Sequence, residues 1–339
     1  MKSPDSPPTL EDVARRAGVS YQTVSRVVNN MPNVAPHTLE KVRQAIEELN
    51  YRPNRAARSL VTGKSHAVHI LLCDKYNVRL VPMVEEATYQ AGYQLRIAAL
   101  HETHSAPELR QKLAEIVSSQ VDGLLLVMPW LGIPYRELLQ MVGNLPLVVV
   151  GTSMGAETNS TLIDQAHGTR IALQHLIDLG HRQIAEITGS IGLYEDSRIR
   201  HETYLHVLRQ NGLTPGPSEN GNFTMDSGFM AMNRLLSSGQ TFTAVFCAND
   251  ETALGAMHAA HQAGLKIPHD ISMIGFDDEP FAKHCLPPLT TIQQDYRALG
   301  TNAVQHLLSL IENPRSAPHQ RILFPKLIVR ESTAPPPSK

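Results

Sequence analysis

Apolar positions along this chain follow two rhythms. From Thr9 to Leu49 they recur at helical spacing. Leu10, Val13, Ala14 and Ala17 form one stripe, Val24, Val27 and Val28 a second, and Val42, Ile46 and Leu49 a third. Thr9 with Asp12 three residues on reads as a capping box, and Ser20 as the cap of the second helix. Gly18 between them marks a break that needs positive φ. The third helix covers Pro36 to Leu49.

Beyond residue 66 the apolar residues gather into short runs separated by amphipathic stretches. Strands are predicted at Ala67–Leu72, Gln94–Leu100, Gly123–Met128, Leu147–Val150, Gln183–Thr188, Ala244–Cys247 and Ile271–Gly275. Helices are predicted at Pro82–Ala91, Pro107–Ser119, Tyr135–Val142, Gly168–Leu179, Ile199–Asn211, Ser227–Ser237 and Glu251–Ala263. This βαβ rhythm, run twice, implies doubly wound parallel sheets. Ligands of such sheets sit at the carboxyl ends of strands, where Asn249–Asp250 and Asp277–Asp278 fall.

The second helix leaves Tyr21, Gln22, Thr23, Ser25 and Arg26 pointing outward. Gln and Arg read base edges, hydroxyls hold phosphate oxygens, and a helix N-terminus favours anions, so this helix pair is a candidate major-groove reader. The plainer alternative is a solvated amphipathic pair. Charge favours the first reading, since residues 1–62 carry nine Lys/Arg against six Asp/Glu and the remainder 21 against 26.

The runs YQTVSRVVN, ELNYRPNRAARSL, ANDETALGAM, ISMIGFDD and PPLTTIQQD, taken together, resemble the lactose/galactose repressor family of bacterial transcription factors, from about residue 9 to 331. Tyr21, Gln22 and Arg26 are closest to the recognition helix of the member that controls the lactose operon. The resemblance implies an N-terminal all-α helix-turn-helix head with a hinge helix, and an α/β core of two doubly wound parallel-sheet lobes, periplasmic-binding-protein-like. Expected boundaries are a disordered arm 1–8, the head 9–53, hinge and linker 54–65, the core 66–331 and a disordered tail 332–339. Within the core the N-lobe would take about 66–163 and 293–323, and the C-lobe about 164–292 and 324–331.

The DNA contacts it implies are Leu10, Ser20, Tyr21, Gln22, Thr23, Ser25, Arg26, Asn29, Thr38, Tyr51, Asn54, Ala57, Arg58 and Leu60, the last wedging into the minor groove. The effector contacts are Asp74, Arg79, Asp164, Arg200, Phe223, Asn249, Asp277 and Gln294. Amide, carboxylate and guanidinium groups suit sugar hydroxyls. Asn249 or Asp250 would also cap the following helix, and Phe223 would serve equally as a core residue. The chain departs from the lactose-operon member in the cleft: Gly151 stands for an aspartate, Val127 for an asparagine, and the loop after Cys73 is shorter. A different effector is therefore expected, and Arg79 could meet a carboxylate or phosphate.

Other patterns point elsewhere. Gly151-Thr152-Ser153-Met154-Gly155 matches the G-x-S-x-G nucleophile elbow but lacks the helix that must follow. The pairs His66/His69, His101/His104 and His258/His261 have no evident third ligand. No cofactor or metal is expected. Three cysteines without CxxC spacing, a polar arm unlike a signal peptide and no long apolar run suit a cytoplasmic, nucleoid-associated protein. The Pro-rich ending STAPPPSK carries no leucine heptad, so a homodimer is expected. The expected function is a repressor of a carbohydrate-utilisation operon that a sugar-like inducer releases from pseudo-palindromic operator DNA. Alternatives are a corepressor ligand, or a sugar-binding protein or hydrolase on the same fold.

Overall fold

The computed structural model describes residues 8–28, 31–52, 64–73, 76–100, 105–127, 133–155 and 157–337. The chain divides into two units, Met1–His66 and Ala67–Lys339.

The first unit is built from three helices, α1 (Leu10–Ala17), α2 (Tyr21–Val28) and α3 (Pro36–Glu48). Thr9 caps α1 through a reciprocal bond with Asp12, and Gly18 ends it in the left-handed conformation at φ 68°. One small core of Val13, Ala14, Val24, Val27, Val42, Ala45 and Tyr51 holds the helices.

The second unit holds two lobes. In the first, β1 (Ala67–Leu72), β2 (Gln94–Ala99), β3 (Gly123–Val127), β4 (Leu147–Val150), β5 (Ser160–Ile163) and β11 (Gln320–Leu323) form one parallel sheet in the order β11-β5-β4-β3-β1-β2. Side chains alternate between its two faces. Val68, Ile70, Leu125 and Val127 meet α4 (Leu80–Gln90) and α11 (Tyr296–Glu312), while Leu71, Leu124 and Leu126 meet α5 (Ala106–Ser118) and α6 (Tyr135–Val142). Strands covered on both faces must be apolar throughout, which is why they read as continuous runs in the sequence.

The second lobe repeats the plan with β6 (Ile184–Thr188), β7 (Ser218–Asn220), β8 (Ala244–Cys247) and β9 (Ser272–Ile274) in the order β7-β6-β8-β9. Helices α7 (Gln165–Asp178) and α8 (Glu195–Gln210) cover one face, α9 (Met225–Ser237) and α10 (Asp250–Gln262) the other. The chain passes between lobes three times: from β5 into α7, from β10 (Thr291–Gln293) into α11, and from β11 into β12 (Lys326–Ile328). Antiparallel pairing of β10 with β12 ties two of these passages together.

Two differences from the sequence expectations have physical causes. Helix α4 begins at Leu80 rather than Pro82, because a proline in the first turn sacrifices no hydrogen bond. The tail is packed rather than disordered through residue 337. Ser332 is fully buried, its carbonyl accepts from Met273 N at 2.8 Å, and the Ala334 carbonyl meets His181 Nε2 at 2.9 Å. It occupies the open edge of β9, whose backbone groups would otherwise lack partners.

Candidate DNA-reading face and effector cleft

The face of α2 opposite its valines is a row of polar side chains. Ser20 Oγ accepts from Thr23 N at 3.1 Å and lies 2.9 Å from Thr23 Oγ1, which fixes the first turn. Tyr21 is 51% exposed, Gln22 and Arg26 are exposed, and Thr23 and Ser25 are half-buried. The short helix thus presents donors and acceptors from a rigid support. Leu10 and Thr38 are half-buried. Tyr51, expected among the DNA contacts, is only 8% exposed, and its ring packs in the head core. Asn29, Asn54, Ala57, Arg58 and Leu60 lie outside the described residues.

The cleft groups converge where the chain crosses between lobes. Arg200, 4% exposed, projects from α8 and donates from Nε to Gln165 Oε1 at 3.0 Å and from Nη1 to the Ala248 carbonyl. Its guanidinium lies 3.8 Å from the centre of the Phe276 ring, and its Nη2 is 3.7 Å from Asp277 Oδ1. Gln165 Nε2 donates to Gln294 Oε1 at 2.9 Å, and Gln294 Nε2 donates to Asp277 Oδ1 at 2.5 Å. Three hydrogen bonds therefore chain the four polar side chains, the Arg200–Asp277 ion pair closes the set, and together they offset the cost of burial.

Burial pushes the Asp277 carboxyl up to about 6, with the Arg200 charge and the Gln294 bond partly offsetting it. Asp250, fully buried beneath, is raised further by burial and then by the Asp277 charge. It accepts from Thr291 Oγ1 at 2.5 Å and from Glu279 N at 2.7 Å. Asp277 and Asp278 both have positive φ, at 112° and 52°. Such backbone persists only where neighbours fix it. Here Gln293 donates to Asp278 at 2.8 Å and Arg330 at 2.6 Å.

The remaining expected effector residues divide. Asn249 is spent locally: Oδ1 accepts from Thr252 N at 2.9 Å, capping α10, and Nδ2 donates to the Phe223 carbonyl at 3.1 Å. Phe223 packs edge-on against Tyr194, 5.5 Å between ring centres. Asp164 caps α7, accepting from His167 N at 2.8 Å. Arg79 pairs with Glu279 and lies 4.8 Å from the centre of the Tyr296 ring. Asp74 lies outside the described residues. Gln165, Tyr296 and Glu279 were missed by the sequence analysis. Their one signal was position, each following a strand end or a crossover.

Ser153 of the G-x-S-x-G run accepts from Gln320 Nε2 at 2.7 Å and from Gly155 N at 3.3 Å. Strand β5, not a helix, comes next.

Comparison with known proteins follows this geometry. Residues 9–54 match the pattern of the bacterial regulatory proteins of the lacI family, and residues 173–333 that of the periplasmic binding protein-like domain. The HTH-type transcriptional repressor PurR of Haemophilus influenzae is 36% identical over 335 residues, covering 96% of this chain and 98% of that protein. PurR of Yersinia enterocolitica is 35% identical over 336 residues, covering 97% and 98%. Among solved structures, the lac repressor dimer bound to operator and the anti-inducer ONPF is 32% identical with a TM-score of 0.89, covering 97% of this chain and all of that one. The complex of the transcriptional regulator CelR with cellobiose is 32% identical with a TM-score of 0.72, covering 96% and 99%.

Proposed function

The chain belongs to the lacI family of bacterial regulatory proteins, and we propose that it represses a carbohydrate-utilisation operon under the control of a sugar-like effector held between its lobes. It is a DNA-binding transcriptional repressor regulated by a small molecule, working as a homodimer. The observation that carries the ligand reading is the closed set Arg200–Gln165–Gln294–Asp277 at the interlobe crossings. A ligand hydroxyl seated beside this pair would donate to Asp277 Oδ1 and accept from Arg200 Nη2, which lie 3.7 Å apart without a direct hydrogen bond. The cellobiose complex of CelR supports a saccharide as the ligand class.

Mechanistically, two heads grip the two halves of a pseudo-palindromic operator. Effector binding changes the relation of the lobes, and a coupling of about 1–3 kcal/mol suffices to weaken that grip many-fold. The relatives are transcriptional repressors, and we assign no catalytic role to any residue. Operator DNA as its partner supports a cytoplasmic, nucleoid-associated location.

A second reading has its own support. The lac repressor dimer was captured with operator and a small molecule together, so a liganded core of this fold is compatible with bound DNA. The effector would then be a corepressor. One titration separates the readings: operator affinity by fluorescence anisotropy against a panel of mono- and disaccharides, their phosphates and nucleobases. A sugar that weakens binding supports the first, any ligand that tightens it the second, and a panel without effect on affinity or melting counts against both. A true ligand at 100 times its Kd adds about 2.7 kcal/mol of stability.

A further inference from the structure

The ion pair between Arg79 and Glu279 joins residues 200 positions apart and belongs to neither the Arg200 network nor any secondary-structure element's own packing. Arg79 closes the 3-10 turn Tyr76–Arg79 after β1 and sits on the first lobe, while Glu279 follows β9 on the second. Both ends are anchored. On the Arg79 side, the Tyr296 ring at the start of α11 stacks against the guanidinium at 4.8 Å, holding it over the cleft from the same lobe. On the Glu279 side, its backbone N–H is bonded to buried Asp250 at 2.7 Å, and Asp250 takes the Thr291 hydroxyl from crossing strand β10. The two positive-φ residues before it, Asp277 and Asp278, turn the backbone so that Asp277 enters the Arg200 network and Glu279 reaches the opposite lobe.

We propose that Arg79 and Glu279 are positioning residues that tie the two lobes together across the effector cleft, setting how far the cleft stands open before a ligand arrives. The proposal deepens the reading of this cleft as the effector site. An ordinary surface pair contributes little because two long side chains must be ordered for it. Here the Tyr296 ring already orders the Arg79 side chain, and the Asp250 bond fixes the backbone from which Glu279 reaches across. The side chains are also half-buried, at 35% and 20% exposure, so solvent screens the attraction only in part. Because the carboxylate of the tie lies two residues from Asp277, a ligand entering the Arg200 network meets the tie directly. Lobe closure and ligand capture are then adjacent events on one three-residue loop.

The test measures lobe separation in the full-length protein without any ligand. Spin labels are placed at Arg136→Cys on α6 and Gln240→Cys after α9, both exposed positions on different lobes, while Cys73, Cys247 and Cys285 are buried. Labelled protein is diluted into unlabelled protein so that only distances within one subunit are read. The starting protein should give one dominant distance. Glu279→Gln and Arg79→Ala should each add a longer population, with the open-to-closed ratio rising about tenfold, equivalent to about 1.4 kcal/mol. Raising the salt to about 0.5 M should move the starting protein the same way. The exchange Arg79→Glu with Glu279→Arg should restore the short distance. Unchanged distances in both single variants would overturn the proposal. So would lengthened distances that the exchange fails to restore, since that result marks damage to the 277–279 loop rather than loss of attraction. Operator binding and sugar response play no part in this measurement, so it can fail while the repressor reading stands, and the reverse.

Discussion

The α2 face and the interlobe cleft both consist of polar side chains on a rigid scaffold, yet they treat those groups in opposite ways. On α2, Gln22 and Arg26 stand exposed above a valine core. In the cleft, Arg200, Gln165, Gln294 and Asp277 are withdrawn from solvent and occupied by one another. A surface meant to read DNA keeps its donors available and pays little to desolvate them until it docks. The cleft set, by contrast, holds its polar groups largely satisfied by one another. In the proposed reading, a ligand exchanges bonds within the set, which includes residues at two of the three crossings, Gln165 and Gln294.

The contrast can be broken experimentally, and the largest effect should come from the cleft. Arg200→Ala removes the hub of a buried set and leaves Asp277 without its cation, so a loss of about 3–5 kcal/mol in urea denaturation is expected. A loss below about 1 kcal/mol would mean that the set is not integral to the lobe. Next is pH. The folded carboxyl of Asp277 titrates near 6, above its ordinary value, so the folded protein holds that proton more tightly than the unfolded chain. Its stabilising contribution is complete at acid pH and fades as pH rises from about 4 to about 6. Asp277→Asn should abolish that downward component when melting curves of the two proteins are compared across the window, and parallel curves would contradict it.

On the exposed side, Arg26→Ala should cost about 1–3 kcal/mol on the operator and leave binding to random DNA nearly unchanged. Equal losses on both would make it a phosphate contact. Asn249→Ala sits between the two regimes, since its amide both caps α10 and holds the Phe223 carbonyl. It should lower stability by about 1 kcal/mol and, if the Phe223 loop borders the ligand, blunt the effector response in a titration. Ser20→Ala should be the mildest, lowering head stability by about 1 kcal/mol or less while the core melts as before.

Legibility followed the same divide. Short helices with capping residues and strands covered on both faces write their identity locally, and β1, β4, β8 and α6 fall at the predicted residues. Strands β5, β11 and β12 are three or four residues long and mix polar with apolar positions, and β7 is three polar residues, so no periodicity announces them. Helix α11, the 17-residue element that packs on α4, was also not placed. Its interior Gly300 reads as a breaker, but there it permits close approach, since a Cβ would meet Met83 Cβ at 2.9 Å.

What the sequence determined by itself was the helix-turn-helix with its exposed face, the doubly wound class of the core, and the strand ends where ligand chemistry had to gather. Those follow from interactions within a few residues: caps, periodic burial, and the direction of strands. Tertiary structure decided which polar groups were already spent. Asn249 takes the capping role that the sequence also allowed, Asp164 caps α7, Tyr51 packs in the head core, and the tail covers the β9 edge. Arg200, Gln165, Gln294 and Asp277 became one set, and Arg79 found Glu279, because the three crossings bring together residues that are up to 200 positions apart. Hydrogen-bond satisfaction is a property of who meets whom in space, and local sequence pattern carries no record of partners so distant along the chain.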